Sequence, residues 1–518
     1  MPKRRNSVES LKSLKWWNPL RVRDDLPAMI AKGADALTPA EKDLLKWVGV
    51  FFRKPTPGQF MMRIRMPNGF ATSAQLRAIA EISRRIGNGV LDITTRQQIE
   101  LRGFTLDTVP EIWEKLRGVD LTSLQTGMDN VRNINGCALA GLTPHECLDA
   151  SPVVFELNHI IVGANGNPEF ANLPRKFNVT ITGCTANCTH NESQDIALVP
   201  ARREARLGFN ILAGGKMGSG GFTIAQPLNV FVEPPEAAEA TAKLVRIFRD
   251  HGPREARSKC RLAHLIEDWG IAELRYVLSE RLMRELQPAG EDMRQRDMHA
   301  DHLGVLPQKQ PGLRSVGLAV AAGRASADQI AELARLSDAY GASQVRLTTG
   351  QNAIIPGVPE ARVAALLGEP LLAELPPAPS PWLRGLVACT GTDYCNLAQI
   401  ETKSRAVELS RALEQRFGNA AAPLTMHWSG CPAGCGNHQA ADIGFRGFKA
   451  NIGGQLVEAV AIYTGGRTGP GAVTGQQILD LVPCDDKLPD VVAAILGGTG
   501  LPACRGFPGA RSSSDRRQ

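Results

Sequence analysis

Four cysteines late in the chain have the spacing of a metal centre. Cys389 and Cys395 form a C-x5-C pair in GLVACTGTDYC, and Cys431 and Cys435 form a C-x3-C pair in HWSGCPAGCGNH. Each iron of a four-iron cubane takes one protein thiolate, so two such pairs suit it. Zinc competes for the same donors, but its pairs favour two to four intervening residues, and x5 is wide. Four buried free cysteines are the bland alternative. The short pair is set among Gly430, Pro432, Gly434 and Gly436. That composition makes a poor helix and lets backbone N–H groups curl towards sulfur. The residues favour an iron–sulfur cluster.

The chain also repeats itself. Residues 60–103 run from alternating apolar positions (Met62, Ile64, Met66) through a turn at Pro67-Asn68-Gly69. A helix with Leu76, Ile79, Ile82 and Ile86 follows, then a strand from Val90 to Thr95. Residues 314–357 repeat the order, with a helix carrying Ile330, Leu333 and Leu336 and then the strand QVRLTTGQNAII. A shift of 254 residues lays Thr94-Thr95-Arg96-Gln97 on Thr348-Thr349-Gly350-Gln351. A shift of 247 lays Cys184 and Cys188 on Cys431 and Cys435, and Cys137 matches Cys395. Val131 then stands where Cys389 needs its twin. So long a period marks two halves of a duplicated α+β protein, not a solenoid. Only the second half holds four thiols, and Cys137, Cys184 and Cys188 are expected to be relics or core cysteines.

The first half places cations where an anion could sit. Arg96 follows a strand end in TTRQQ, Arg132 lies in the polar stretch GMDNVRN, and LPRKFNVTI supplies Lys176 and Asn178. In a strand those last two share one face, with Arg175 and Phe177 on the other. Singly, such residues are usually solvated surface charges. Together, opposite the thiols, they suit an oxyanion: Arg donates bidentate hydrogen bonds, and Lys is a mobile charge that can deliver a proton.

The chain has 518 residues, 43% hydrophobic and 21% charged, which fits a soluble protein of two to four domains. No stretch approaches a membrane span. The N-terminus, MPKRRNSVESLKSLKWWNPL, is basic but has no apolar core and contains acid, so it reads as neither a secretory signal nor a typical transit peptide. A cytoplasmic protein is expected, and eleven cysteines there suggest metal binding over disulfides. The net charge of +7 argues against a dedicated nucleic-acid binder and suits an acidic partner or a polyanionic cofactor.

The joint set FMMRIRMPNG, DITTRQ, GMDNVRN, LPRKFN, C-x5-C and C-x3-C resembles the sirohaem-containing nitrite and sulfite reductases, most closely the ferredoxin-dependent nitrite reductases, over roughly residues 15–495. The resemblance implies two ferredoxin-like units and two larger α+β units about a pseudo-twofold axis. It implies a sirohaem and a [4Fe-4S] cluster between the halves. Cys389, Cys395, Cys431 and Cys435 would hold the cluster, with Cys435 shared with the sirohaem iron. Arg96, Arg132, Lys176 and Asn178 would face the substrate. Arg63, Arg65, Thr95, Gln97 and Arg102 are candidate contacts to the many carboxylates of sirohaem. Sulfite reductases of this family usually carry lysine at both ends of the segment matching Lys176-Phe177-Asn178, and Lys then Asn points to nitrite. Reduced ferredoxin would be the donor, docking on a basic face of a monomer.

The implied organisation is a helical extension at 1–55, ferredoxin-like units at 56–120 and 286–375 (the latter with a linker), sirohaem/4Fe-4S units at 121–285 and 376–495, and a disordered tail at 496–518. Segment 211–221 reads as a flexible hairpin loop near the cofactor, not a phosphate loop. Segment 254–270 reads as a helix with a basic face, either plainly solvated or a ferredoxin dock. His190 and His438 read as structural hydrogen-bonders. A sulfite reductase, a cobalamin-pathway monooxygenase and a zinc-stapled binding protein are the competing functions.

Overall fold

The computed structural model describes residues 6–12, 18–218, 221–296, 298–419 and 424–497. Most of the expected tail therefore lies outside the described residues. Helices at Ser7–Lys12, Val22–Lys32 and Pro39–Leu44 form the N-terminal extension. It ends earlier than expected, because Val50–Phe52 already pairs with Phe60–Ile64 as an edge strand.

Each expected repeat folds as read, with one difference. Phe60–Ile64, a turn, Ser73–Arg85 and Val90–Ile93 are matched by Leu313–Leu318, a turn, Ala327–Tyr340 and Gln344–Leu347. QVRLTTGQNAII is two strands, not one: Thr348–Asn352 is a turn, closed by Thr348 N donating to Asn352 O at 2.9 Å. Both helices start on a capping box. Thr72 Oγ1 accepts from Gln75 N at 3.1 Å while Gln75 Oε1 accepts from Thr72 N at 3.0 Å, and Ser326 and Gln329 do the same at 3.0 and 2.9 Å.

The turns before these helices explain how the halves join. Each leads into a three-residue strand that leaves its own half and completes the sheet of the other. Phe70–Thr72 pairs antiparallel with Gln344–Leu347, and Arg324–Ser326 pairs with Val90–Ile93. Both units are thus five-stranded sheets of mixed parentage. The backbones come very close at the crossover. A Cβ on Gly69 (φ +71°) would sit 2.3 Å from Leu347 O, and one on Gly323 (φ +72°) 2.5 Å from Ile93 O, so only glycine fits. Reciprocal side chains staple the junction: Gln97 Nε2 donates to Leu347 O and Gln351 Nε2 to Ile93 O, each at 2.9 Å.

The two larger units are also five-stranded. In the first, Val179–Ile181 lies parallel to Ile196–Arg203, which continues antiparallel into Arg206–Ala213 and Gln226–Val232. In the second, Gly385–Ala388, Thr425–Ser429 and Ile443–Ile452 run parallel, followed antiparallel by Gln455–Thr464 and Gln476–Pro483. One apolar core runs through both ferredoxin-like units and the first larger unit. The second larger unit has its own core, in which Trp428 stacks on Phe445 at 4.2 Å. Segment 254–270 departs from expectation. It is helical only over Leu262–Trp269 apart from a short turn, and its arginines face inward: Arg257 pairs with Asp129 at 2.6 Å and Arg261 with Asp195 at 2.6 Å. Buried carboxylates claim these two charges, while Lys259 stays exposed.

A buried charge cluster sits on the crossover. Asp92, 2% exposed, receives Arg102 Nε at 2.7 Å from its own half and Arg324 Nε at 3.0 Å from the other, with Lys403 Nζ at 3.6 Å. Glu100 takes Arg102 at 2.6 Å and Arg63 at 2.8 Å. Burial alone would raise both carboxyls. The surrounding cations outweigh it, holding Asp92 well below the carboxylate range and Glu100 at about 2. Groups with depressed folded values stabilise the fold above their unfolded values near pH 4, and that stability is lost as pH falls through the folded values. Asp92→Asn should cost about 3–5 kcal/mol in denaturant titration, since it strips a buried carboxylate from its cations. It should also flatten the stability loss below pH 4. An unchanged midpoint and acid profile would show that the cluster is only surface-like.

Candidate functional site

The fold brings the cysteines of the second half against the cations of the first. Cys389 ends the strand Gly385–Ala388, Cys395 lies on the following loop, and Cys431 and Cys435 lie on the loop after Thr425–Ser429. All four line one cavity of about 470 Å³ with Arg53, Arg63, Thr95, Arg96, Arg132 and Arg175. The loop is tight: a Cβ on Gly436 would meet Trp428 O at 2.0 Å. Backbone donors turn inward as glycine allows, with Gly430 N at 3.1 Å from Cys389 Sγ and Leu397 N at 3.5 Å from Cys395 Sγ.

The spacing of the thiols separates a cluster from a single ion. No three of the four Sγ atoms lie within 4.8 Å of one another. A tetrahedral zinc, with Zn–S about 2.3 Å, would draw them to about 3.8 Å apart. Four thiols around a wider space, met by backbone N–H groups, fit a polynuclear iron–sulfur cluster. Burial pushes the Cys389 thiol up to about 12 and the Cys431 thiol up to about 11, so deprotonation falls to the metal.

The cations are the other half of the site. Among the described residues, Arg53, Arg96, Arg132, Arg175 and Lys176 form no ion pair within 4.0 Å. Arg53 Nε is buried without a hydrogen-bond partner. Positive charges held half-buried and uncompensated call for an anion. Arg132 donates to Thr126 O at 3.2 Å, and Arg96 Nε donates to Asn178 Oδ1 at 3.3 Å. Asn178 is fixed in turn by its backbone N–H on Asp195 at 2.8 Å, which leaves its amide N–H group to donate. Lys176 stands beside Arg96 and Arg132. Burial and the positive charges of Arg261, Arg96 and Arg132 hold its ammonium well below the usual lysine range, against the opposing pull of Cys435. Cys435 is the exposed member of the quartet and faces these cations. Thr95 Oγ1 donates to Cys435 O at 3.2 Å, tying the halves together at that point.

Several expected contacts lie elsewhere. Arg65, 2% exposed, spends its guanidinium on the carbonyls of Gln125 and Val131, each at 2.9 Å, and of Arg132 at 3.1 Å. Arg102 is absorbed by Asp92 and Glu100, and Gln97 by the crossover. Arg65 and Gln97 are satisfied inside the protein, and Arg102 is held by the two acids, with its Nη1 alone left buried without a partner. Arg63 lines the cavity, although Glu100 holds it. Arg175, expected on the far face, lines the cavity instead, because Asn172–Asn178 is not a regular strand and pairs only through Phe177. Arg53 was also missed; it lies in a turn with no motif around it. His438 is structural as expected, with Nδ1 at 3.0 Å from Ser429 Oγ, and His190 packs on the His427 ring. The 211–221 segment places Gly218 against Ala433 and Gly434, over the C-x3-C loop.

Sequence comparison agrees with this division. The nitrite and sulphite reductase 4Fe-4S domain matches residues 127–286 and 381–497, and the nitrite/sulfite reductase ferredoxin-like half domain matches 52–119 and 306–373. The chain is 43% identical over 495 residues to the ferredoxin–nitrite reductase of Synechococcus elongatus, covering 95% of this chain and 96% of that protein. It is 41% identical to the chloroplastic ferredoxin–nitrite reductase of Spinacia oleracea, covering 87% and 77%. The structure of the Mycobacterium tuberculosis NirA protein superposes with a TM-score of 0.88 at 32% identity, covering 95% of this chain and 93% of that one.

If Cys435 joins the two centres, Cys435→Ser should lose both the visible haem absorption and most acid-labile sulfide, while the far-ultraviolet spectrum is kept. Retained haem absorption at full intensity would remove Cys435 from the joint.

Proposed function

The chain belongs to the nitrite and sulphite reductase family, and from that premise we propose that it reduces nitrite to ammonium with electrons from reduced ferredoxin. The reaction takes nitrite, six electrons and eight protons to ammonium and two waters. The observation that carries the reading is one cavity lined by four cluster-spaced thiols and by half-buried arginines that no carboxylate neutralises. A sirohaem and a [4Fe-4S] cluster, when bound, supply the iron site for reduction and the one-electron relay to it.

The chain's own residues do the rest. Cys389, Cys395, Cys431 and Cys435 hold the cluster, and Arg53, Arg63 and Arg175 offer guanidinium groups to sirohaem carboxylates. Arg96 and Arg132 direct donors at the nitrite oxygens and stabilise negative charge that builds on them as N–O bonds weaken. Lys176 is the proton source. Its ammonium is destabilised by burial and like charge, so it gives up a proton more readily than an ordinary lysine, whereas the arginines do not. Asn178 presents an amide N–H without adding charge, which suits a monoanion such as nitrite better than a dianion such as sulfite.

Electrons enter beside the cluster. The loop carrying Cys395 is exposed at Leu397 and flanked by Lys54, whose N–H donates to Asn396 Oδ1 at 2.9 Å, and by Lys449, whose N–H donates to Gln399 Oε1 at 3.2 Å. Glu458 holds the Lys449 ammonium at 3.1 Å, so the exposed Lys54 is the charge this rim offers an acidic ferredoxin. Among the described residues no helix is long and apolar enough to cross a membrane.

Lys176→Met should leave the haem absorption intact and lower kcat by about 10²–10⁴-fold, as loss of a general acid does. Full turnover in that variant would end its assignment. Asn178→Lys should raise the ratio of sulfite to nitrite kcat/KM about tenfold. A ratio that stays put or falls would show that position 178 does not sort the substrates.

A further inference from the structure

The pseudo-twofold gives the cluster site a counterpart, where the three cysteines are core cysteines as expected, packed with Leu139, Ala186 and Ile354. Cys137, Cys184 and Cys188 come together there. The Cys137 and Cys188 thiols lie within 4.8 Å of each other, and Cys184 packs in the same cluster. A fourth donor arrives that no repeat alignment could find: His302, from the segment joining the halves, sets Nε2 at 3.6 Å from Cys137 Sγ. The donor atoms of Cys137, Cys188 and His302 all lie within 4.8 Å of one another, the only such group of histidine, cysteine and carboxylate donors among the described residues.

We propose that Cys137, Cys188 and His302 hold a mononuclear zinc ion that clasps the linker between the halves to the first larger unit, and that Cys184, outside their 4.8 Å group, closes in as the fourth ligand when the ion binds. The spacing supports one ion. A tetrahedral zinc with Zn–S about 2.3 Å and Zn–N about 2.0 Å holds its donors about 3.5–3.8 Å apart, as Cys137 and His302 already stand. The cluster thiols across the dyad are spread more widely, so the two ends of the pseudo-twofold offer different metal chemistry. Thiolates with an imidazole select zinc over the hard cations magnesium and calcium.

The surroundings are shaped for the purpose. Cys137 and Cys184 are each 1% exposed and His302 is 6% exposed. Ala186 N donates to Cys184 Sγ at 3.4 Å, an N–H to sulfur contact of the kind Leu397 makes to Cys395 at the cluster. Thr349 Oγ1 donates to Cys188 O at 2.6 Å, the counterpart of Thr95 on Cys435 O. His302 holds φ +61°, an uncommon conformation for a side-chain-bearing residue, on a segment anchored by Asp301 to Arg384 Nη2 at 3.1 Å. The same donors could instead close a disulfide, and the test distinguishes the two.

The holoenzyme, expressed with zinc in the medium and purified under anaerobic conditions, is assayed for zinc and iron by mass spectrometry and for zinc ligation by zinc K-edge X-ray absorption. Iron does not contribute at that edge. The expected result is about one zinc per chain with a shell of sulfur and one nitrogen at about 2.3 and 2.0 Å. His302→Ala and Cys188→Ser should each lower zinc at least severalfold and leave iron content unchanged. Wild-type protein without zinc, zinc lacking a sulfur shell, zinc undiminished in both variants, or a disulfide among these cysteines in non-reducing peptide mapping would each overturn the site.

Discussion

The structure depends on a reciprocal exchange of strands. Phe70–Thr72 and Arg324–Ser326 each complete the sheet of the opposite half, and the Asp92 carboxylate at that seam is shared by Arg102, Arg324 and Lys403. Neither ferredoxin-like sheet is whole without the other half. The loop ends after Ile93 and Leu347 therefore have a fixed separation, and those loops carry Arg96 on one side and Gly350 on the other. A site assembled from two halves needs this rigidity, because catalytic donors must be held to within about half an ångström.

Given that frame, the halves have divided their tasks. The second keeps four wide-set thiols and gives up the arginine, with Gly350 opposite Arg96. The first keeps the cations and lacks one cluster thiol, with Val131 opposite Cys389. The cavity at the cluster is electrostatically lopsided in consequence: Arg63 has Glu100, but Arg53, Arg96, Arg132 and Arg175 converge with no carboxylate of their own. Such an arrangement is costly in an empty protein and favourable around polyanionic ligands.

Much of this was legible in the chain. Periodic apolar positions marked the helices Ser73–Arg85 and Ala327–Tyr340, and Gly or Pro marked their turns. The thiol quartet and the Arg96, Arg132, Lys176 and Asn178 set emerged from motifs and resemblance. What escaped were facts of tertiary contact. Arg65 and Arg102 look like any arginines in a strand until their partners, backbone carbonyls and buried acids, are seen. The strand exchange left no periodic signal in three-residue segments. Arg53 and His302 sit in irregular segments, and only the folded chain brings them to sulfur or to the cavity.

The central claim is that one end of the pseudo-twofold, and not the other, assembles the redox site from Cys435 on one side and Arg96 with Lys176 on the other. Anomalous diffraction at the iron K edge on crystals of the holoenzyme tests it directly. The account predicts iron density among Cys389, Cys395, Cys431 and Cys435 and a further iron between Cys435 and the Arg96–Lys176 face. Iron among Cys137, Cys184 and Cys188, or in the chamber lined by Thr349 and Gly350, would contradict it.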